Sequence, residues 1–206
     1  SATPTNAIYA AGSTATSASN NSNNVVSNNT IRDFYNSTST TNGGSGVNIV
    51  TGNTDWTISN NSIFQTQTRS TFGAAAPFYA IFINNTSGNN FNVSSNTIGG
   101  TAINAGGSAL TINASTTALM RLVYLSVGTT TATNVSSNTI KNISFTTTSA
   151  STVNGLISIL NGAVNCTNNI LGDASVSNSI VFNTSGASAM FSGILAGTGA
   201  TGQGAI

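Results

Sequence analysis

The chain is almost without charge. Of its 206 residues four are Lys or Arg and three are Asp, and there is neither His nor Glu. Soluble domains ordinarily carry about 25% charged residues; here the share is 3%. A net charge of +1 offers no electrostatic footprint for DNA or RNA, so no nucleic-acid partner is expected. Without His, and with one Cys, the usual zinc ligand sets and thiol–imidazole pairs are missing, and no metal or other cofactor is expected. A lone Cys closes no intramolecular disulfide and reports no redox compartment. No run reaches the about 18 apolar residues of a spanning helix, so no membrane span is expected. Helix itself is disfavoured, because the strong helix formers Glu, Lys and Arg are nearly absent.

What is present is neutral polarity: 31 Asn, 30 Ser and 33 Thr. Disordered chains combine low hydrophobicity with high net charge. This one is 38% hydrophobic, and its Ile, Val and Phe recur in short clusters, which implies ordered strands.

The clusters belong to an internal repeat. Five segments share one pattern: VSNNTI (26–31), ISNNSI (58–63), VSSNTI (93–98), VSSNTI (135–140) and CTNNIL (166–171). The fourth position is always Asn, at Asn29, Asn61, Asn96, Asn138 and Asn169, with spacings of 32, 35, 42 and 31 residues. Position one is Val26, Ile58, Val93, Val135 and Cys166; position six is Ile31, Ile63, Ile98, Ile140 and Leu171. The last segment departs most, with Ile170 where the others have Thr or Ser. Before each motif lies an apolar run: AIYAA (7–11), GVNIV (46–50), FYAIFI (78–83), LMRLVYLSV (119–127) and GLISIL (155–160), then a sixth, FSGILAG (191–197). Apolar residues also follow the motifs: Phe34, Ile103, Ile143 with Phe145, and Ile180 with Phe182.

Each repeat therefore reads as three short strands separated by Gly, Asn, Ser and Thr turns. Such short strands cannot bury an apolar face alone, whereas stacked coils pair each strand with its counterpart one repeat on. The expected fold is all-β, a right-handed parallel β-helix of about five to six coils of 31–42 residues, forming one domain over residues 1–206. Alternation turns positions one and six inward, so Val26, Ile58, Val93, Val135 and Cys166, with Ile31, Ile63, Ile98 and Ile140, are the expected core. The Asn between them sits at a bend, where Asn tolerates left-handed backbone angles. Stacked at about 4.8 Å per coil, the five Asn would form an internal amide ladder that satisfies buried polar groups.

The VSSNTI runs, each with an apolar strand nearby, resemble the right-handed β-helix repeats of pectate-lyase-like proteins. They are closest to the Asn/Ser/Thr-rich repeats of secreted and surface-anchored bacterial proteins. That resemblance covers about residues 6–197. It implies the fold; the group includes lyases, hydrolases, tailspikes, adhesins and passive stalks, and fold does not imply function. Enzymes of this fold use acidic clusters with Ca²⁺, or paired carboxylates, with an Arg or Lys base.

The charged residues do not form that pattern. They are Arg32, Asp33, Asp55, Arg69, Arg121, Lys141 and Asp173. Asp33 and Asp173 stand four coils apart, about 19 Å at the strand spacing, beyond the about 5–9.5 Å of a glycosidase pair. Asp33 and Asp55 fall at different places in the repeat. The charges read as isolated surface groups, Arg69 in a polar loop, Lys141 in a solvated turn and Arg121 outward on a strand. No catalytic residue is expected. Cys166 reads as an inert core thiol, and Trp56, two residues before Ile58, as core packing. Tyr9, Tyr35, Tyr79 and Tyr124 read as scattered. Asn-x-Ser/Thr triplets such as Asn36-Ser37-Thr38 follow from composition. The Thr runs 129–133 and 146–148 raise an ice-binding face, against which the irregular coil lengths count.

The repeat is interrupted at both ends without a visible cap, so the expected partners are further coils, either of a longer chain or of a second copy stacked end to end into a filament. An uncharged surface suits an extracellular or cell-surface structural or adhesive protein without catalytic activity. A carbohydrate-binding or carbohydrate-active β-helix, with surface glycans as partners, is the alternative, and an ice-binding solenoid the third.

Overall fold

The computed structural model describes residues 3–71, 76–114, 118–148, 153–186 and 189–201. The chain winds through about five turns of a parallel solenoid, and nearly every regular element is a strand. The first coil holds β1 (Asn6–Ala10), β2 (Val25–Ser27) and β3 (Thr30–Arg32). The second holds β4 (Gly44–Ile49), β5 (Thr57–Ser59), β6 (Ser62–Phe64) and β7 (Arg69–Thr71). The third holds β8 (Phe78–Asn85), β9 (Asn92–Ser94), β10 (Thr97–Ile98) and β11 (Leu110–Ala114), and the fourth β12 (Arg121–Val127), β13 (Thr133–Ser136), β14 (Thr139–Ile140) and β15 (Ile143–Thr147). The fifth holds β16 (Val153–Thr167), β17 (Ile170–Leu171) and β18 (Ile180–Thr184), after which β19 (Met190–Thr201) returns to the starting side.

All strand pairings are parallel and run from coil to coil, in three sheets of 10, 5 and 4 strands. The largest is two ladders joined in the fifth coil, because β16 pairs first with β12 and then with β13. A first ladder thus stacks β1, β4, β8, β12, β16 and β19, and a second β2, β5, β9, β13 and the end of β16. The third stacks β3, β6, β10, β14 and β17, the fourth β7, β11, β15 and β18. Adjacent short strands share only a few main-chain bonds, so the apolar columns inside supply the rest of the stability.

Those columns are in strict register. Val26, Ile58, Val93, Val135 and Cys166 stack as one column, and Ile31, Ile63, Ile98, Ile140 and Leu171 as another. The first nine of these are buried, six of them completely, and Leu171 packs against the core from a half-buried position. From the first ladder Val47, Ile81, Val123 and Ile157 close the interior, and from the fourth Ile112, Phe145 and Phe182. Phe34 follows the first motif into the core and stacks on Phe78 at 5.5 Å, although no strand carries it. Ile103 does not join them: it lies in a short 3₁₀ turn, Ile103–Ala105, with 57% of its surface exposed. Its core position is taken by Leu110 and Ile112, because the third coil inserts that turn before its fourth-ladder strand.

Candidate functional site

The bend between the second and third ladders is two residues long in every coil. Its first residue is left-handed: Asn28, Asn60, Ser95, Ser137 and Asn168 have φ of 55–59°. The left-handed position thus precedes the ladder Asn, which corrects the expectation for the bend. The sharp reversal falls on the exposed residue, leaving the next one free to turn its side chain inward.

That next residue forms a continuous chain of amides. Asn61 donates from its main-chain N (3.1 Å) and its Nδ2 (3.0 Å) to Oδ1 of Asn96. Asn96 donates in the same way to Asn138, at 3.0 Å each, and Asn138 to Asn169 at 3.0 and 2.9 Å. Asn29 opens the series, donating to Asn61 at 3.0 and 3.1 Å. Each Nδ2 after the first has a second acceptor, the carbonyl of position one in the coil before: Val26, Ile58, Val93 and Val135, at 2.8–2.9 Å. Every amide in the middle of the series uses both Nδ2 protons and both Oδ1 lone pairs. Asn96 and Asn138 are fully buried, where an unpaired amide is costly.

A second set of buried amides lies at the corner between the first and second ladders. Asn53 donates to the carbonyls of Val50 (2.7 Å) and Ala10 (3.2 Å), and accepts from Asn21. Asn85 donates to Asn53 O at 2.6 Å. The spacing of 32 residues from Asn21 to Asn53 and again to Asn85 is the sequence signal for this corner, diluted by the abundance of Asn.

The three carboxylates are not isolated, and this corrects the sequence reading. Asp33 accepts from Arg69 Nη2 at 2.7 Å and from the main-chain N and hydroxyl of Thr66, one coil on. Arg69 opens β7 instead of lying in a loop, and its Nε donates to the buried Gln65 at 2.7 Å. Burial raises the Asp33 pKa, but the Thr66 donors and the two Arg charges outweigh it and hold the carboxyl below its ordinary value. Lys141 is no free turn residue: its Nζ lies 2.8 Å from Asp173, one coil on. That bond and two from Ser175 hold Asp173 well below the usual carboxylate range. Asp55, left-handed at φ 57°, accepts from Asn90 of the next coil at 2.7 Å. Each carboxylate therefore ties one coil to its neighbour, and the three stand apart.

Cys166 is buried, with Asn169 Nδ2 donating to its sulfur at 3.3 Å. Burial raises its thiol pKa, partly offset by that bond, so the neutral form is favoured. Trp56 is buried, and its Nε1 donates to Asn21 O at 3.1 Å.

The tyrosines are less scattered than they read. Along the outward side of the first ladder one column runs Tyr9, Asn48, Phe82, Tyr124, Ser158 and Leu195. Phe82 stacks on Tyr124 at 4.9 Å, and Tyr79 joins both, at 4.4 and 5.5 Å. The Arg121 guanidinium lies 5.7 Å from the Tyr124 ring centre. Burial pushes the Tyr79 hydroxyl up to about 12 against the pull of Arg121. Among the described residues, Asn48 Oδ1, Arg121 Nε and Ser158 Oγ are the buried side-chain atoms without a hydrogen-bond partner, and all three belong to this ladder. No group of three or more His, Cys, Asp or Glu able to hold a metal occurs among the described residues, and no described helix is long and apolar enough to cross a membrane.

No family model, curated protein or solved structure matches the chain.

Proposed function

We propose that the protein is a non-catalytic structural or adhesive solenoid that works outside the cell, in the manner of the surface repeats its sequence resembles. The observation that supports this reading is the use of its few charges. All three carboxylates bind a donor on an adjacent coil, Asp33 to Arg69, Asp55 to Asn90 and Lys141 to Asp173, so each ties neighbouring coils along the solenoid axis. No two are placed to share a substrate, and the amide ladder runs along the same axis. The chain has no His, the side chain that ordinarily titrates between pH 5 and 8, which suits a surface exposed to changing surroundings.

End-to-end association belongs to the same reading. The ladder is polar: among the described residues Asn29 Oδ1 takes no amide from a preceding coil, while Asn169 directs its Nδ2 to its own and the previous coil. A further coil, of the same chain or of a second copy, would continue the ladder. Cohesion through amides and apolar contacts should be insensitive to salt. The test is incubation of the purified chain with soluble and insoluble polysaccharides, beside electron microscopy of the same sample in low and high salt. Unaltered polysaccharide and salt-resistant rods support the proposal. Release of sugar products overturns it.

The aromatic column supports a second reading, a carbohydrate-binding solenoid. Phe82 and Tyr124, half-buried with Arg121 beside them and Tyr79 packed beneath, offer apolar rings with polar edges, which suit the mixed faces of a sugar. Saturable shifts of the Tyr124 signals with an oligosaccharide, lost in Tyr124→Ala, would favour it over the first.

A further inference from the structure

We propose that the outer face of the second ladder, with the adjoining bend, is an ice-binding surface. The irregular coil lengths that count against such a face do not reach it. From Val26 to Ile31 and in each later counterpart the spacing is the same, and the insertions fall elsewhere, most plainly the Ile103–Ala105 turn of the third coil. The face is therefore a regular lattice. One outward column is Ser27, Ser59, Ser94, Ser136 and Thr167, in unbroken register. Two residues back on the same strands stand Val25, Thr57, Asn92, Asn134 and Asn165, so that this column is polar from the second coil on and opens on an exposed Val. The left-handed residues of the bend add a third, solvent-exposed column. Rungs repeat at about 4.8 Å, and same-face columns on one strand stand about 6.7 Å apart.

Three features make a water lattice the fitting ligand. Every position of the three columns except Val25 is a hydroxyl or an amide, so each of these can donate and accept one hydrogen bond to water. None carries charge, and ions would impose hydration shells of their own. The face also lacks Trp, Tyr and Arg, the anchors that concentrate binding energy in protein interfaces. Sheets of many strands stay flat only where stacking or a side-chain ladder holds them, and the amide ladder lies immediately behind this bend. Weak contacts of like chemistry then add from coil to coil, as binding to a crystal plane requires.

The inference is independent of the structural reading, since a stalk could carry an ice-binding face or lack one. The test follows ice-crystal growth and recrystallisation in solutions of the whole chain, of Ser94→Arg and Ser136→Arg on the face, and of Ser144→Arg on the outward side of β15. Circular dichroism checks that each variant keeps its strands. The expected result is slowed growth and shaped crystals with the parent chain, loss of both in S94R and S136R, and retention in S144R. Ice that grows as in an equal concentration of serum albumin overturns the proposal. So does equal loss in all three variants, or retention in the folded face variants.

Discussion

Two sides of the coil follow different rules. On one, the second and third ladders meet at a bend of two residues that is the same in five coils. On the other, the path from the third ladder back to the first varies freely. The first coil has no fourth-ladder strand among its described residues, the third spends residues 99–109 between β10 and β11, and the fourth crosses the same gap with Lys141 and Asn142 alone. The constant side buries an amide in each of the three middle coils, Asn61, Asn96 and Asn138, and a buried amide accepts partners only within a few tenths of an ångström of ideal geometry. The variable side holds register through apolar columns and exposed loops, which tolerate length changes at modest entropic cost. Constancy of sequence thus tracks directionality of the stabilising contact, and this contrast can be broken from either side.

The largest effect should come from the middle of the ladder. Asn96→Ala removes the acceptor of two Asn61 donors, a donor to Ile58 O and a donor to Asn138 Oδ1, all in a buried site. We expect a loss of about 3–5 kcal/mol in urea unfolding. Asn29→Ala removes an exposed member whose partners water can reach, and should cost about 1 kcal/mol or less. Equal losses at the two positions would mean that burial does not set the worth of the ladder.

Next is Gly99, where the variable side begins. Its φ is 127°, and a Cβ there would stand 1.8 Å from the carbonyl oxygen of Lys141 in the next coil. Gly99→Ala combines strain with collision against backbone, and should destabilise by about 2–4 kcal/mol. A normal unfolding curve for this variant would show that the variable side yields even at its tightest crossing.

The constant side was legible because its chemistry is linear. A two-residue bend with an inward residue on either side yields a six-residue pattern, which survives whatever happens between repeats. The first nine core positions, from Val26 to Ile140, and the five Asn could be found from that pattern alone. The aromatic column could not. Tyr79, Phe82 and Tyr124 meet only because β8 and β12 are in register, 42 residues on, and that register depends on an insertion whose length has no pattern. The Asp33–Arg69 pair spans 36 residues and the Lys141–Asp173 pair 32, across the same irregular loops. Ile103 is the first apolar residue after its motif and so reads as the start of a strand, but the next apolar pair, Leu110 and Ile112, forms it instead. Ser95 and Ser137, at the left-handed position, carry no propensity signal for it at all.

The pH profile of stability sharpens the contrast, since the titratable groups lie outside the amide ladder except Cys166, whose sulfur accepts from Asn169 at its last coil. Asp33 and Asp173 have lowered pKa values, so their stabilisation is present above the unfolded value of about 4 and fades as pH falls below it. Cys166 and Tyr79 have raised values, so the folded state keeps protons that the unfolded chain releases, and stability declines as pH climbs above about 9. Between about pH 5 and 8 the unfolding midpoint in urea should be flat. A slope in that window would expose a titrating contact that the sequence, without His, does not provide.

Smaller still should be the effect of trimming the variable side. Replacing residues 99–109 by Lys-Asn, the connection used between β14 and β15, leaves β11 in register with β15. A shift within about 1 kcal/mol is expected. Collapse of the fold would make the inserted turn a structural part, through its bond from Asn104 N to Ser62 Oγ.

The smallest effect is a gain, and it tests the constant side at its own weak point. Left-handed geometry costs an ordinary L-residue about 1–2 kcal/mol, and Asn is among the few that visit it routinely. Three coils place Asn there and two place Ser, at φ of 56° in both. The Ser side chains are exposed, so the backbone preference should decide the outcome without interference from packing. Ser95→Asn and Ser137→Asn should each stabilise by about 0.5 kcal/mol. The two residues occupy adjacent coils, so the new amides can bond to each other along the outside as the ladder does within, and the double variant should exceed the sum of the singles. Asn60→Ser, the reverse change one coil away, should cost about what Ser95→Asn gains. Stabilisation by Asn with no loss in Asn60→Ser would assign the gain to the added amides; matched effects of opposite sign would assign it to the backbone.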